Sequence, residues 1–398
     1  MRCVAITPTR HAVNDGDAEG HASLAPAVLL DGRAMAKPLP QVYPNGAVNR
    51  HRCDLPALRY QCDLNVSVGC MAYPQLFPTG DLLKNWSPED PGKQPAHIFD
   101  SICRFNVSSP YELQLAQVFH QMEVPFITYG IPELDRASTK WTDEYLTEKL
   151  RPDELYKVHI ANNSHFMYYS KSMARLDEPP TYASKWWTYP QFVDAVAGTK
   201  AIEKKGSDGD HANHPYYYLM LKALDIKKRT PFVYEELEFL DPSAGEAKRK
   251  YGDLFIRDTQ DALARGLRCR LGMQGIITEG HFDAGLNMIT MVRGAKRYIL
   301  SPPSVCSCLG IITSGASARH TRLNWSNVAA LSSDAYACPA TEVVVAAGDV
   351  LYVPSYWYHH IVSLDESIQC NIRSGVILRD DVKDFLAQCG FPPVTEAA

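Results

Sequence analysis

His281-Phe282-Asp283-Ala284-Gly285-Leu286-Asn287 is the stretch on which the reading of this chain turns. It follows a run rich in β-formers, 269–278, so alternation along an extended backbone puts His281 and Asp283 on one side and Phe282 on the other. One later imidazole would complete a two-histidine, one-carboxylate triad, a donor set that suits Fe(II) and leaves coordination positions open. A tripeptide of this kind also occurs by chance, so its surroundings decide. A histidine pair, His359-His360, opens a later strand-like run, 358–363. Neighbouring strand residues face opposite ways, so only one of the two can join His281 and Asp283 on a single metal.

Outward from this centre the texture is β-rich. Strands are expected over 216–221, 269–278, 287–292, 296–300, 342–345, 350–353, 358–363 and 367–373, separated by Gly, Pro and Asp turns. Gly294-Ala295 and Gly348-Asp349 read as tight connections. Many short strands of this kind imply a sandwich or barrel, here a jelly roll. Upstream, Ser109-Pro110-Tyr111-Glu112 combines a capping serine, a first-turn proline and a glutamate three residues after the cap, which predicts a helix over 110–122. A strand over 125–129, a helix from the cap Thr142 to 150, a strand over 156–160 and a helix over 188–196 follow. A last helix is expected over 381–388. Residues 1–90 are rich in Pro, Gly, Asn and Asp without sustained periodicity, and read as an irregular extension.

The 398 residues exceed a typical single domain. The chain carries 40 basic and 45 acidic residues, a net charge of -5, which argues against a general affinity for nucleic-acid phosphates; the basic runs at 227–229 and 248–250 are short. No apolar run approaches the ~20 residues of a membrane-spanning helix, and no continuous apolar segment of a secretory signal opens the chain. Five N-x-S sequons leave the compartment open, with a cytoplasmic or nuclear setting favoured. The 11 cysteines show no C-x-x-C spacing, and Cys306 with Cys308 has no second close pair to complete a zinc site. They read as mostly reduced and buried.

The centre and two further segments, Val292-Arg293-Gly294-Ala295-Lys296-Arg297-Tyr298-Ile299-Leu300-Ser301-Pro302-Pro303 and Gly348-Asp349-Val350-Leu351-Tyr352-Val353-Pro354-Ser355-Tyr356-Trp357-Tyr358-His359-His360-Ile361, resemble the JmjC family of cupin-like oxygenases. The resemblance covers about residues 110–390. Among members it lies nearest to the asparaginyl hydroxylase that inhibits hypoxia-inducible factor, and it extends to a tRNA wybutosine hydroxylase. It implies an α+β fold: a double-stranded β-helix (cupin-like jelly roll) with surrounding helices. Taken with the composition of the N-terminal stretch, it divides the chain into the extension 1–90, a helical and mixed part 91–205, and the jelly-roll catalytic domain with its C-terminal helix, 206–398.

The same resemblance selects His359 over His360, because the ligand directly follows the aromatic pair Trp357-Tyr358. It implies that His281, Asp283 and His359 hold Fe(II), that 2-oxoglutarate and O₂ are cosubstrates, and that Lys296 anchors the far carboxylate of 2-oxoglutarate. Thr278, Asn287 and Asn371 match polar contacts of that cosubstrate, and Tyr218 is a looser match. In Cys370-Asn371-Ile372-Arg373-Ser374-Gly375 the chain departs from the family, which carries an aromatic pair after the asparagine. The implied function is C–H hydroxylation, most readily of a protein side chain. A small metabolite, a modified RNA base, or a non-catalytic cupin-type binding module are the alternatives. A homodimer through the C-terminal helix is also open.

Overall fold

The computed structural model describes residues 73–171, 174, 179–203, 214–245, 250–376 and 379–392. Eight antiparallel strands form its centre: β1 (Arg268–Gly272), β2 (Ile277–Phe282), β3 (Asn287–Arg293), β4 (Ala295–Ser301), β5 (Pro339–Ala346), β6 (Val350–Val353), β7 (Tyr358–Ser363) and β8 (Ser367–Arg373). They divide into two facing sheets, ordered β5-β4-β7-β2 and β6-β3-β8-β1, the double-stranded β-helix expected from the sequence. Side strands widen both. Phe77–Pro78 and His165–Phe166 flank the first; Arg104–Asn106, Phe126–Tyr129, Tyr216–Leu221, Tyr156–Ala161 and Ala183–Trp187 extend the second.

The interior is built by alternation. Tyr298 and Leu300 of β4 face Ile289 and Met291 of β3 in the core between the sheets, while Ile299 points outward onto Leu82 and Leu83. Burying each aliphatic side chain of this size contributes roughly 1.5–3 kcal/mol.

The run expected as one strand over 269–278 is two strands in different sheets. Gly275, at φ +82°, turns the chain between them. Gly294 and Gly348 also act as crossings: each has φ above +70°, but the strands on either side lie in opposite sheets and do not pair. A Cβ on Gly294 would collide with the carbonyl oxygen of Glu366, so only glycine fits there.

The helix Pro110–Gln121 starts as predicted, with Ser109 Oγ accepting from Glu112 N at 3.4 Å. The Glu112 carboxylate, expected to close a capping box on Ser109, instead accepts from Asn106 N at 2.6 Å and ties the helix to the preceding strand. Thr142 caps Asp143–Lys149. The helix Tyr189–Glu203 runs longer than expected.

Most of the stretch expected to be irregular, 1–72, lies outside the described residues; after it, Thr79–Asn85 is a helix. Buried Arg297 donates to the carbonyls of Leu82 and Trp86 at its end and pairs with Glu342 at 2.5 Å. The C-terminal helix Asp380–Gln388 lays Val382 and Leu386 on Phe282 and Tyr356, so the face considered for dimerisation covers its own domain.

The expectation of reduced cysteines is not met at seven described positions: Cys103 is disulfide-bonded, and Cys269 pairs with Cys370, Cys306 with Cys389 and Cys308 with Cys338. Cys269 and Cys370 are cross-strand partners in β1 and β8, a proximity that linear spacing could not reveal. Among the described residues no helix is long and apolar enough to cross a membrane.

Candidate metal centre

β2 and β7 are neighbours in the first sheet, and in their register His281 stands directly opposite His359. The imidazole centroids are 4.3 Å apart. Asp283 follows one residue after β2 ends, and one ligand atom from each of His281, Asp283 and His359 lies within 4.8 Å of the others. Phe282 points away, as alternation requires, and packs on Tyr356 and Phe391.

Both imidazoles have a fixed tautomer. His281 Nδ1 lies 2.8 Å from the Glu279 carbonyl and His359 Nδ1 lies 3.0 Å from the Trp357 carbonyl. A carbonyl only accepts, so each Nδ1 carries the proton and each Nε2 keeps its lone pair for a metal. Burial pushes both imidazoles below their ordinary pKa, and they are neutral at neutral pH. Burial also opposes ionisation of Asp283, but the guanidinium groups of Arg373 and Arg319 beside it hold the carboxyl well below its usual range. Two neutral imidazoles and one carboxylate are the donor set of a facial iron triad.

His360, the other member of the pair, leaves the strand on the opposite face and packs against Trp325 at 5.0 Å between centroids. Neither ring nitrogen has a hydrogen-bond partner, and burial pushes the pKa down to about 4.

The remaining expected residues gather between the sheets. Lys296 is 1% exposed, and among the described residues its one hydrogen-bond partner is Tyr218 OH, at 3.3 Å. An ammonium buried with a single hydroxyl lacks a counter-anion, so it fits a ligand carboxylate. Asn371 Nδ2 donates to Asn287 Oδ1 at 2.9 Å. Thr278 and Tyr218 line a cavity of about 190 Å³ together with His281 and Asp283.

Four residues at this site escaped the sequence reading. Arg270 Nη1 donates to Asn371 Oδ1. Arg373 bonds Asp283 Oδ2, and Arg319 reaches Oδ1 at 3.3 Å. His320 stacks on His281 at 5.0 Å. Arg373 was within reach of alternation, since it lies two residues beyond Asn371 on the same strand. Arg319 and His320 sit in the long connection between β4 and β5, which carries no periodic signal.

A double-sheet jelly roll that brings two imidazoles and a carboxylate within 4.8 Å of one another defines a cupin fold carrying a donor set able to hold one metal ion. The chain belongs to the family of proteins with a cupin-like domain, whose model matches residues 112–372. It is similar to the human tRNA wybutosine-synthesizing protein 5, 23% identical over 65% of this chain and 73% of that protein, and to its Gallus gallus counterpart at 23% over 65% and 72%. It is also similar to tRNA wybutosine-synthesizing protein 4 of Aspergillus oryzae, 29% identical over 66% of this chain but only 22% of that much longer protein.

These relatives correct two expectations. The individual likeness is to wybutosine-synthesizing proteins and not to the asparaginyl hydroxylase. The expected protein or peptide substrate and the weak nucleic-acid signal are overturned by the same matches, all of them tRNA wybutosine-synthesizing proteins. A net charge of -5 sums over the whole surface and does not report the charge around one cavity, so it carries no weight against these matches.

Proposed function

We propose that this chain is a hydroxylase of a modified base in tRNA, using Fe(II) held by His281, Asp283 and His359 and 2-oxoglutarate anchored at Lys296, with O₂. The observation that carries the reading is the convergence of the three ligand atoms within 4.8 Å, beside a buried lysine that lacks an anion. The names of the curated relatives support a tRNA substrate. Bound Fe(II), with 2-oxoglutarate and O₂, would supply the oxidant that replaces C–H by C–OH.

The chain's own residues do the rest. The Glu279 and Trp357 carbonyls fix the imidazole tautomers, and Arg373 and Arg319 orient the Asp283 carboxylate. Lys296 and Tyr218 present a cation and a hydroxyl to one carboxylate, while Thr278, Asn287 and Asn371 add polar contacts around it. Arg270, held by Asn371, brings a second cation to the same pocket. A tRNA substrate fits the cytoplasmic or nuclear setting favoured by the sequence.

The test is incubation of unfractionated tRNA with the protein, Fe(II) and 2-oxoglutarate, followed by nucleoside mass spectrometry and succinate assay. A wybutosine-type nucleoside heavier by one oxygen atom, absent with Asp283→Ala, is the expected result. Succinate formation with no oxidised nucleoside in any tRNA pool would remove tRNA from the reading.

A further inference from the structure

Beside the 190 Å³ cavity at the triad lies a larger one of about 950 Å³. Both are lined by His159, Tyr168, Tyr182, Met220, Arg268 and Arg270, so the two adjoin with these residues at the junction. Four more cations, Lys157, Lys222, Lys227 and Arg265, stand around the larger cavity. Its acidic residues, Glu235, Glu238 and Asp241, belong to one stretch, 235–241. Among the described lining residues six cations face three carboxylates, an excess of positive charge in a chain whose net charge is -5.

Some of that charge is already engaged. Arg265 pairs with Asp261 at 2.6 Å, and Arg270 is held by Asn371. Arg268 is different: among the described residues its side chain makes no hydrogen bond or ion pair, although its backbone pairs with Asn371 in the ladder. It leaves β1 on the same face as Arg270, two residues away, and burial followed by the charge of Arg270 disfavours its protonated form. Lys157 is disfavoured in the same way, by burial and then by Lys222 and Lys171. Like charges crowded around an open space are relieved by an anion entering it.

The junction also carries aromatic faces. The Tyr182 ring lies 4.3 Å from His159 and 6.0 Å from Phe166, whose ring is 5.7 Å from Tyr218 in the cosubstrate pocket. Tyr168 at the same junction is 57% exposed. Flat rings interleaved with cations along one cavity are the surface that single-stranded nucleic acid takes, bases stacking while phosphates meet Lys and Arg. The volume is at the top of the range for pockets that enclose a whole small ligand, which leaves room beyond the target base itself.

We propose that the larger cavity seats the nucleotides flanking the target base, with Arg268 taking a phosphate oxygen at the junction, Lys222 and Lys227 meeting further phosphates, and Tyr168 and Tyr182 offering stacking faces. This assignment rests on the tRNA reading above and adds the residues that would deliver the base to the triad.

The test measures binding of unfractionated tRNA to the full chain by filter retention, between about 50 and 200 mM salt. The variants are Arg268→Gln and the double variant Lys222→Gln/Lys227→Gln, with melting temperature and Fe(II) content confirming that each is folded. Each variant is expected to bind several-fold more weakly, and the slope of log affinity against log salt should shrink by about one per lost contact. Unchanged affinity and slope in both variants overturn the proposal. So does poly-glutamate that displaces tRNA and loses affinity equally in the variants, because the cavity would then be a site for acidic polypeptide. Weakened tRNA binding with no hydroxylated nucleoside from any tRNA would uphold this cavity and sink the base-hydroxylation reading. Hydroxylation intact with unaltered binding in the variants would do the reverse.

Discussion

His359 and His360 leave one strand in opposite directions, one toward His281 and Asp283, the other against Trp325. Their substitutions should therefore separate. His359→Ala should bring Fe(II) content, measured by elemental analysis, down to background. His360→Phe should keep the metal, and because it removes two buried nitrogens that lack hydrogen-bond partners, with Glu279 no nearer than 3.9 Å, its unfolding free energy should stay level or rise by about 1 kcal/mol. Metal loss in the phenylalanine variant would reassign the ligand. Lys296→Met tests the cosubstrate anchor: removing one partner of a buried charge pair costs about 2–4 kcal/mol, so the KM for 2-oxoglutarate should rise roughly 30- to 1,000-fold. Fe(II) binding should persist, and an unaltered KM would exclude the anchor role. The residue types of the candidate centre were readable because an H-x-D in an extended run fixes its own facing. The arginine pair on Asp283 was not, because Arg319 comes from a connection with no pattern.

At the scale of elements, the edge strand His165–Phe166 is tethered through a charged bridge as well as a backbone ladder. It pairs in parallel with Ile277 and Thr278 of β2, and its His165 lies between Glu279 and Glu89. Hydrogen bonds to Glu279 and then Glu89 raise the His165 pKa from its ordinary 6.5 to about 10. The contribution of a raised histidine is complete below about pH 6.5 and fades as pH climbs toward 10. Glu89, lowered to about 2 by its bond to His165, contributes fully above about pH 4.5 and loses that contribution as pH falls toward 2. The bridge is therefore strongest between about pH 4.5 and 6.5. Partial exposure of Glu89 screens it, so its size is modest. His165→Gln should be most destabilised relative to the parent near pH 5–6, with the difference shrinking by pH 10, as read from urea unfolding at each pH. A difference that stays flat between pH 6 and 10 would remove His165 protonation from the account. The capped helices at Ser109 and Thr142 were legible because capping is local chemistry; the split of 269–278 was hidden because a buried run of apolar residues does not announce which sheet each half joins.

At the scale of the whole molecule, Arg297 and Glu342 lock residues 79–86 onto the jelly roll. The guanidinium is 1% exposed, pairs with Glu342 and donates to two carbonyls at the helix end, while Glu342 Oε1 also accepts from Phe99 N at 2.8 Å. Glu342→Gln leaves a buried guanidinium without its counter-charge, which costs about 3–5 kcal/mol. Equilibrium unfolding should show that loss as a lower denaturant midpoint; an unshifted midpoint would mean the helix contributes little to the roll. The basic cavity belongs to this scale too. Its cations come from the strand at 156–161, the segment 222–229, the helix Thr259–Arg265 and β1, elements far apart in sequence.

What the sequence determined alone was that His281 and Asp283 share one side of an extended run, most of the strands around them and the local helix caps, since a period of two and a local cap are written in neighbouring residues; the choice of His359 over His360 came from the family resemblance. Tertiary structure alone decided that His281 and His359 stand opposite each other in register, that Cys269 meets Cys370, that Arg373 and Arg319 close on Asp283, and that scattered cations gather beside the triad. The reason is that sheet order and register are set by which faces bury against each other. That is a property of segments tens to hundreds of residues apart, and no local pattern encodes it.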